Sequence, residues 1–123
     1  MSQKGNTMIT MMFIAGAEDK AEGDRLFASH AKWMEKTHHK DGELAMFSYN
    51  VAKNDEYTNP MDPTSEPTGN TIFTVNEVYK SPAGMADHWK QAPDWADFGA
   101  LMSWADKVKF TMMHGSPIEY SLW

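Results

Sequence analysis

The apolar positions fall into short runs whose period changes along the chain. Met8–Ala15 is a short apolar run with Ile and Phe, bounded by Gly5-Asn6 and Gly16, the pattern of a buried strand. From Asp19 to His38 the spacing becomes helical. Leu26, His30, Trp33 and Thr37 share one face, flanked by Phe27 and Met34, while Lys32, Glu35 and Lys36 fall elsewhere. Asp41-Gly42 ends this unit. Leu44–Lys53 alternates weakly, with Phe47, Tyr49 and Val51 on one side, and predicts a second strand. Asn70–Lys80 predicts a third, with Phe73, Val75, Glu77 and Tyr79 on one face and Ile72, Thr74, Asn76 and Val78 on the other. Ser81-Pro82 is a helix start: serine can cap, and proline suits the first helical position. That helix runs to about Gln91, Pro93 breaks it, and a further helical segment spans Asp94 to about Asp106. Lys107–His114 predicts a fourth strand, and the alternation of Ile118, Tyr120 and Leu122 leaves room for another.

The order is β-α-β-β-α-β, the split βαβ or ferredoxin-like arrangement: an α+β fold with an antiparallel sheet, in a single domain over residues 1–123. Helices cover one face of such a sheet. In the first strand, however, Met8, Met12 and Ile14 alternate with Ile9, Met11 and Phe13. In the fourth, Val108, Phe110 and Met112 stand on one side and Met113 on the other. A second apolar face needs a cover, and a second copy of the same sheet supplies one, so the pattern predicts a homodimer packed sheet to sheet. The connection 55–69, with its three prolines, predicts a loop far longer than an ordinary hairpin.

Composition narrows the function classes. Net charge is −6 and Arg25 is the only arginine, a poor profile for nucleic-acid binding. There is no cysteine, which excludes disulfides, thiolate nucleophiles and Cys-bound metals. The first apolar run is too short for a membrane span, and no secretory cleavage pattern follows it, so the expected location is cytoplasmic with no membrane partner. Eleven methionines suit either pliable core filling or a pocket that adapts to a flat apolar ligand.

The chemistry centres on the third strand and the helix after it. If the aromatic face of that strand meets the helices, a cavity there gathers Glu77, Tyr79, His88 and His30. Its walls would be Trp33, Trp89, Phe73, Phe47, Trp95 and Phe98, apolar surroundings with a few convergent polar groups. Imidazole can take a proton near neutrality, a carboxylate can orient it, and a tyrosine can donate to a developing oxyanion. The set suits proton abstraction from an acidic O–H or C–H. There is no phosphate-binding glycine loop and no G-x-S-x-G elbow. The bland alternative is a satisfied polar contact inside a small core. His38-His39 read as partners of a helix C-terminus. A metal site from His30 and His38 is disfavoured, because they are eight apart without H-x-x-x-H spacing or an evident third ligand.

The stretch "FTVNEVYKS", followed by "ADHW" and "APDWADF", resembles the antibiotic biosynthesis monooxygenase family, most strongly over residues 70–105. Glu77, Tyr79, His88, Pro93 and Trp95 fall at matching positions. The resemblance implies a dimeric α/β barrel with a ligand cavity in each subunit. It implies a cofactor-independent monooxygenase, metal-free, acting on a small aromatic or quinol-type compound. His88 would be the base, Glu77 its orienting partner, Tyr79 the hydrogen-bond donor and His30 a second acid or base. The haem-degrading relatives resemble one another in an asparagine on strand one and a histidine late in helix two; neither is present here. No arginine stands on strand three or helix two to clamp a polyketide or a phosphosugar. A non-catalytic small-ligand-binding or stress-related dimer and a proton-shuttling isomerase are the competing readings.

Overall fold

The computed structural model describes residues 2–123. The chain runs β1 (Thr7–Ala15), a 3-10 turn (Ala17–Asp19), α1 (Lys20–Thr37), β2 (Met46–Tyr57) and β3 (Pro67–Tyr79). It continues through α2 (Pro82–Gln91), a second 3-10 turn (Ala92–Asp94), α3 (Phe98–Lys107) and β4 (Lys109–Pro117). The strands form one sheet in the order β2-β3-β1-β4, and every neighbouring pair is antiparallel. This is an α+β architecture compatible with a ferredoxin-like fold. The predicted helical segment after α2 is real but starts later, because Pro93 sits in a 3-10 turn before α3 begins at Phe98.

The helices lie on the sheet face formed by Ile9, Met11, Phe13 and Ala15 of β1 and by Phe73, Val75 and Tyr79 of β3, all buried. Leu26 and Phe27 of α1 and Trp104 of α3 close this core. Gly23 lets α1 approach closely: a Cβ there would stand 2.7 Å from Trp104 Cζ2 and 2.9 Å from Phe73 Cζ. Two turns further on, that same buried stripe carries His30.

Two sequence expectations change. The predicted 55–69 loop is trimmed at both ends by the ladder, with Asp55 opposite Thr71 and Tyr57 opposite Pro67. Only residues 58–66 form the connection, held by Thr58 N–H to Glu66 O at 2.9 Å and by turns around Asp62. Pro67 is tolerated because it is the first residue of its strand. Residues 118–123 do not form a further strand. Ile118 exchanges backbone hydrogen bonds with Gly5 and Asn6, after which Tyr120, Leu122 and Trp123 project into solvent.

The sheet face away from the helices is mixed rather than wholly apolar. Met8, Met12, Ile14 and Ile72 are interleaved with Thr10, Thr74 and Asn76, and the Thr10 hydroxyl donates to Asn76 Oδ1 at 2.9 Å. No helix among the described residues is long and apolar enough to cross a membrane.

Candidate functional site

Strand phase puts Glu77 on the helix side, directly opposite Tyr49 on β2 and Ile9 on β1. Tyr79, two residues on and therefore on the same face, donates its hydroxyl to Glu77 Oε1 at 2.6 Å. Helix α2 begins at Pro82, and Gly84 lets it settle on the end of the sheet: a Cβ there would lie 3.0 Å from Leu44 O and 3.2 Å from Tyr79 Cδ1. One turn later His88 comes down over the strand, with Nε2 3.7 Å from Glu77 Oε1. Helix α1 contributes His30, whose Nδ1 shares a 2.6 Å hydrogen bond with the Tyr49 hydroxyl. A ring nitrogen of His30, a carboxylate oxygen of Glu77 and a ring nitrogen of His88 all lie within 4.8 Å of one another.

His38, at the C-cap of α1, joins the cluster from outside. Its Nε2 is 2.8 Å from His88 Nδ1, and its Nδ1 is 2.9 Å from Thr37 Oγ1. The Thr37 hydroxyl donates to Trp33 O at 2.7 Å, so it accepts from His38 Nδ1–H. His38 Nε2 is then an acceptor, and His88 Nδ1–H is its donor. This assigns the tautomers from the bonding network and leaves a lone pair on His88 Nε2, facing Glu77.

Burial dominates the electrostatics. It pushes the Glu77 carboxyl up to about 7, against the opposing hydrogen bond from Tyr79. Burial lowers His30 to about 4 and His88 to about 3; His38 adds to the effect on both, and His30 adds to it on His88. Burial likewise lowers His38, with Asp87 pulling the other way. Tyr49 and Tyr79 are both raised, first by burial and then by the carboxylate. Near neutral pH the imidazoles are uncharged, and Glu77 is the group poised to change protonation. Its second oxygen, Oε2, is buried without a hydrogen-bond partner.

Three tryptophans ring the cluster. Trp33 lies 5.8, 5.3 and 6.0 Å from the His30, His38 and His88 rings; Trp95 is 5.0 Å from His30, and Trp89 is 4.7 Å from His88. The single cavity expected around these residues is instead divided. A groove of about 340 Å³ between α1 and β2 is lined by His38, Tyr49, Met34, Met46 and Phe47. An apolar cavity of about 280 Å³ lies between α2, α3 and the β1–β4 edge, with Trp89, Phe98, Phe13 and Met112 among its walls. Neither is lined by Glu77, Tyr79, His88 or His30.

The expected wall residues separate accordingly. Phe47, 51% exposed, stands at the rim of the groove because β2 bulges between Met46 and Ser48. Phe73 belongs to the core, against Phe27 and Trp104. Phe98 lines the apolar cavity, away from the carboxylate. Sequence reasoning missed two members of the polar network. Tyr49 carried a signal in the strand-two alternation, but only the pairing register sets it opposite Glu77. His38 looked like a helix-end residue, which it is, while its ring turns inward to His88.

No protein-family model matches the chain, and no curated protein matches it. Chemically, the arrangement can accept a proton at a buried carboxyl, conduct it through neutral imidazoles, and present a hydroxyl and an imidazole to a small molecule in the groove.

Proposed function

We propose that this chain is an enzyme similar to the antibiotic biosynthesis monooxygenases, taking a proton from a small phenol or quinol bound in the groove between α1 and β2. One observation carries the reading: two hydrogen-bonded arms, Tyr49–His30 and His38–His88, lead from the groove to Glu77. Both outer members line the groove, and both inner members flank the carboxylate. Tyr49 and His38 would touch the substrate; Glu77 would be the terminal base, with His30 passing the proton inward, while His88, its Nδ1–H donated outward to His38, presents Nε2 to the carboxyl group. This exchanges the roles of His88 and Glu77 expected from sequence, since burial leaves the carboxyl as the group matched to neutral pH. The 3.7 Å between His88 and Glu77 is long for proton transfer and would shorten as substrate binds.

The phenolate so formed is electron-rich enough to pass an electron to dioxygen. The resulting radicals combine at a ring carbon. Loss of water then gives a quinone: one oxygen atom enters the product, the other leaves as water, and the substrate supplies all the electrons. Met34, Met46 and Phe47 offer an adaptable apolar bed for the ring. The uncovered sheet face, with Met12 and Ile14, and the projecting apolar tail support a homodimer closing into an α/β barrel.

Oxygen uptake with a panel of phenols, quinols and anthrones tests the reading. Uptake with one of them, abolished in Glu77→Gln and strongly reduced in Tyr49→Phe, is the expected result; no uptake with any of the panel overturns it. A second reading, ligand binding without turnover, is favoured by the buried Trp89 Nε1–H, which has no partner and belongs to a residue lining the apolar cavity. It predicts ligand-dependent quenching of tryptophan fluorescence with no oxygen consumed. An isomerase using the same relay would convert its substrate under nitrogen.

A further inference from the structure

The tautomers derived above leave an electrostatic gap. Whenever Glu77 is ionised, His88 Nε2 presents a lone pair to a carboxylate oxygen 3.7 Å away, and two lone pairs facing each other repel unless a proton or a metal ion lies between them. Glu77 Oε2 adds a second buried acceptor with no hydrogen-bond donor. His30 brings a third ligand: its Nδ1 is engaged by Tyr49, so Nε2 is the nitrogen it can offer.

We propose that His30, Glu77 and His88 together bind a divalent first-row transition ion of the zinc or iron(II) class. Two imidazoles and one carboxylate are a donor set such ions favour, with positions left for water or another small ligand. Ligand atoms about 2.1 Å from one ion stand roughly 3–4 Å apart. The His88–Glu77 spacing of 3.7 Å already meets that, and the 4.8 Å limit of the trio closes with a small inward shift. The outer contacts are those of a metal centre as well. Each histidine holds its other nitrogen in a hydrogen bond, His30 to Tyr49 and His88 to His38, and Tyr79 holds the carboxylate. His38, half-buried and lining the groove, marks the access route.

This inference goes beyond the acid–base reading and rests on the donor set, its spacing and its outer hydrogen bonds. Ion and transferred proton compete for one position, so the two properties are measured separately. The full chain, stripped with EDTA and dialysed, is titrated with Co²⁺ and then Zn²⁺ by calorimetry and visible absorption, with no substrate present. One equivalent of Co²⁺ per chain, with absorption bands of a nitrogen- and oxygen-ligated ion, is expected. Glu77→Gln and His88→Ala should weaken binding by at least about 100-fold, and His38→Gln, which removes only the outer support, by about 10-fold. His39→Ala and His114→Ala, at exposed histidines outside the cluster, should leave it unchanged. Absence of stoichiometric uptake, or uptake indifferent to Glu77→Gln and His88→Ala, overturns the proposal. Should those variants fail to fold, wild-type NMR decides. Co²⁺ broadening of the His30 and His88 ring signals supports the site; broadening confined to His39 and His114 refutes it.

Discussion

Tyr49 stands directly across the β2–β3 ladder from Glu77, yet its hydroxyl bonds to His30, while the carboxylate takes its hydrogen bond from Tyr79 on its own strand. The two tyrosines therefore do different work. Tyr79 is fully buried and steadies the carboxylate; Tyr49 reaches the groove. Tyr49→Phe removes the outer link of one arm without emptying its space. Turnover is expected to fall by about 100-fold, in the range of a lost proton-transfer group. Stability should fall by only about 1 kcal/mol for one lost hydrogen bond. Oxygen-electrode rates and urea melts on the same preparation separate the two effects, and a variant as active as wild type would remove Tyr49 from the mechanism.

The raised Glu77 carboxyl has a definite sign in the pH dependence of stability. Its folded pKa of about 7 lies above the ordinary carboxyl value of 4.5, so the native state holds the proton more tightly. The stabilisation is complete below pH 4.5 and is lost as pH rises through about 7. Full ionisation would cost up to about 3 kcal/mol. Glu77→Gln, which cannot ionise, should show a melting temperature that drops less than wild type between pH 5 and pH 8. Parallel pH profiles for the two proteins would contradict this assignment.

His30 and His88 act at the other end of the scale. Their folded pKa values, about 4 and about 3, lie below the ordinary imidazole value of 6.5. Their stabilising contribution is present above pH 6.5 and is lost as pH falls through those values. Acidification should therefore expose the cluster cooperatively. The probe is built in, because Trp33, Trp89 and Trp95 surround these rings. Their fluorescence should shift to the red in one step at acid pH, and to a lower pH in His88→Asn.

Gly23→Ala tests how closely α1 lies on the sheet. Alanine would gain about 1 kcal/mol in helix propensity on an open surface. Here its Cβ meets Trp104 and Phe73 inside the normal contact distance. Overpacking of this kind costs about 1–3 kcal/mol, so net destabilisation in denaturant is expected. A stabilised variant would show that α1 can lift off without penalty.

The uncovered sheet face makes a prediction about assembly. Light scattering of the wild type should give the mass of a dimer. Met12→Glu, a charge placed in the middle of that face, should give a monomer with its far-UV circular dichroism intact. A wild-type monomer would remove the sheet-to-sheet arrangement.

The order of strands and helices was legible because each element keeps its own period: predominantly apolar in β1, alternating in β3, helical in α1. Glu77, Tyr79 and His88 could be brought together in advance from the β3 phase and the Ser81-Pro82 helix start. Two things were not legible. The loop predicted at 55–69 is real but narrower, at 58–66: prolines advertise turns, whereas the pairing that extends both strands, such as Asp55 with Thr71, is invisible in composition. The division of the cavity, with Phe47 at a rim and Phe98 behind Trp89, depends on a bulge in β2 and on the helix break at Pro93, each a matter of a residue or two in register.

The Thr37 hydroxyl has a reach greater than its size. By donating to Trp33 O it orients the His38 ring, which orients the His88 ring, and the aligned dipoles of both rings end with their negative pole toward Glu77. Rotating that one O–H bond onto His38 would reverse the whole row, turning a socket for positive charge into a donor that hands a proton to the carboxylate. The electrical polarity of the buried site is thus written at the last turn of a surface helix, by a side chain that touches neither the carboxylate nor the histidine above it.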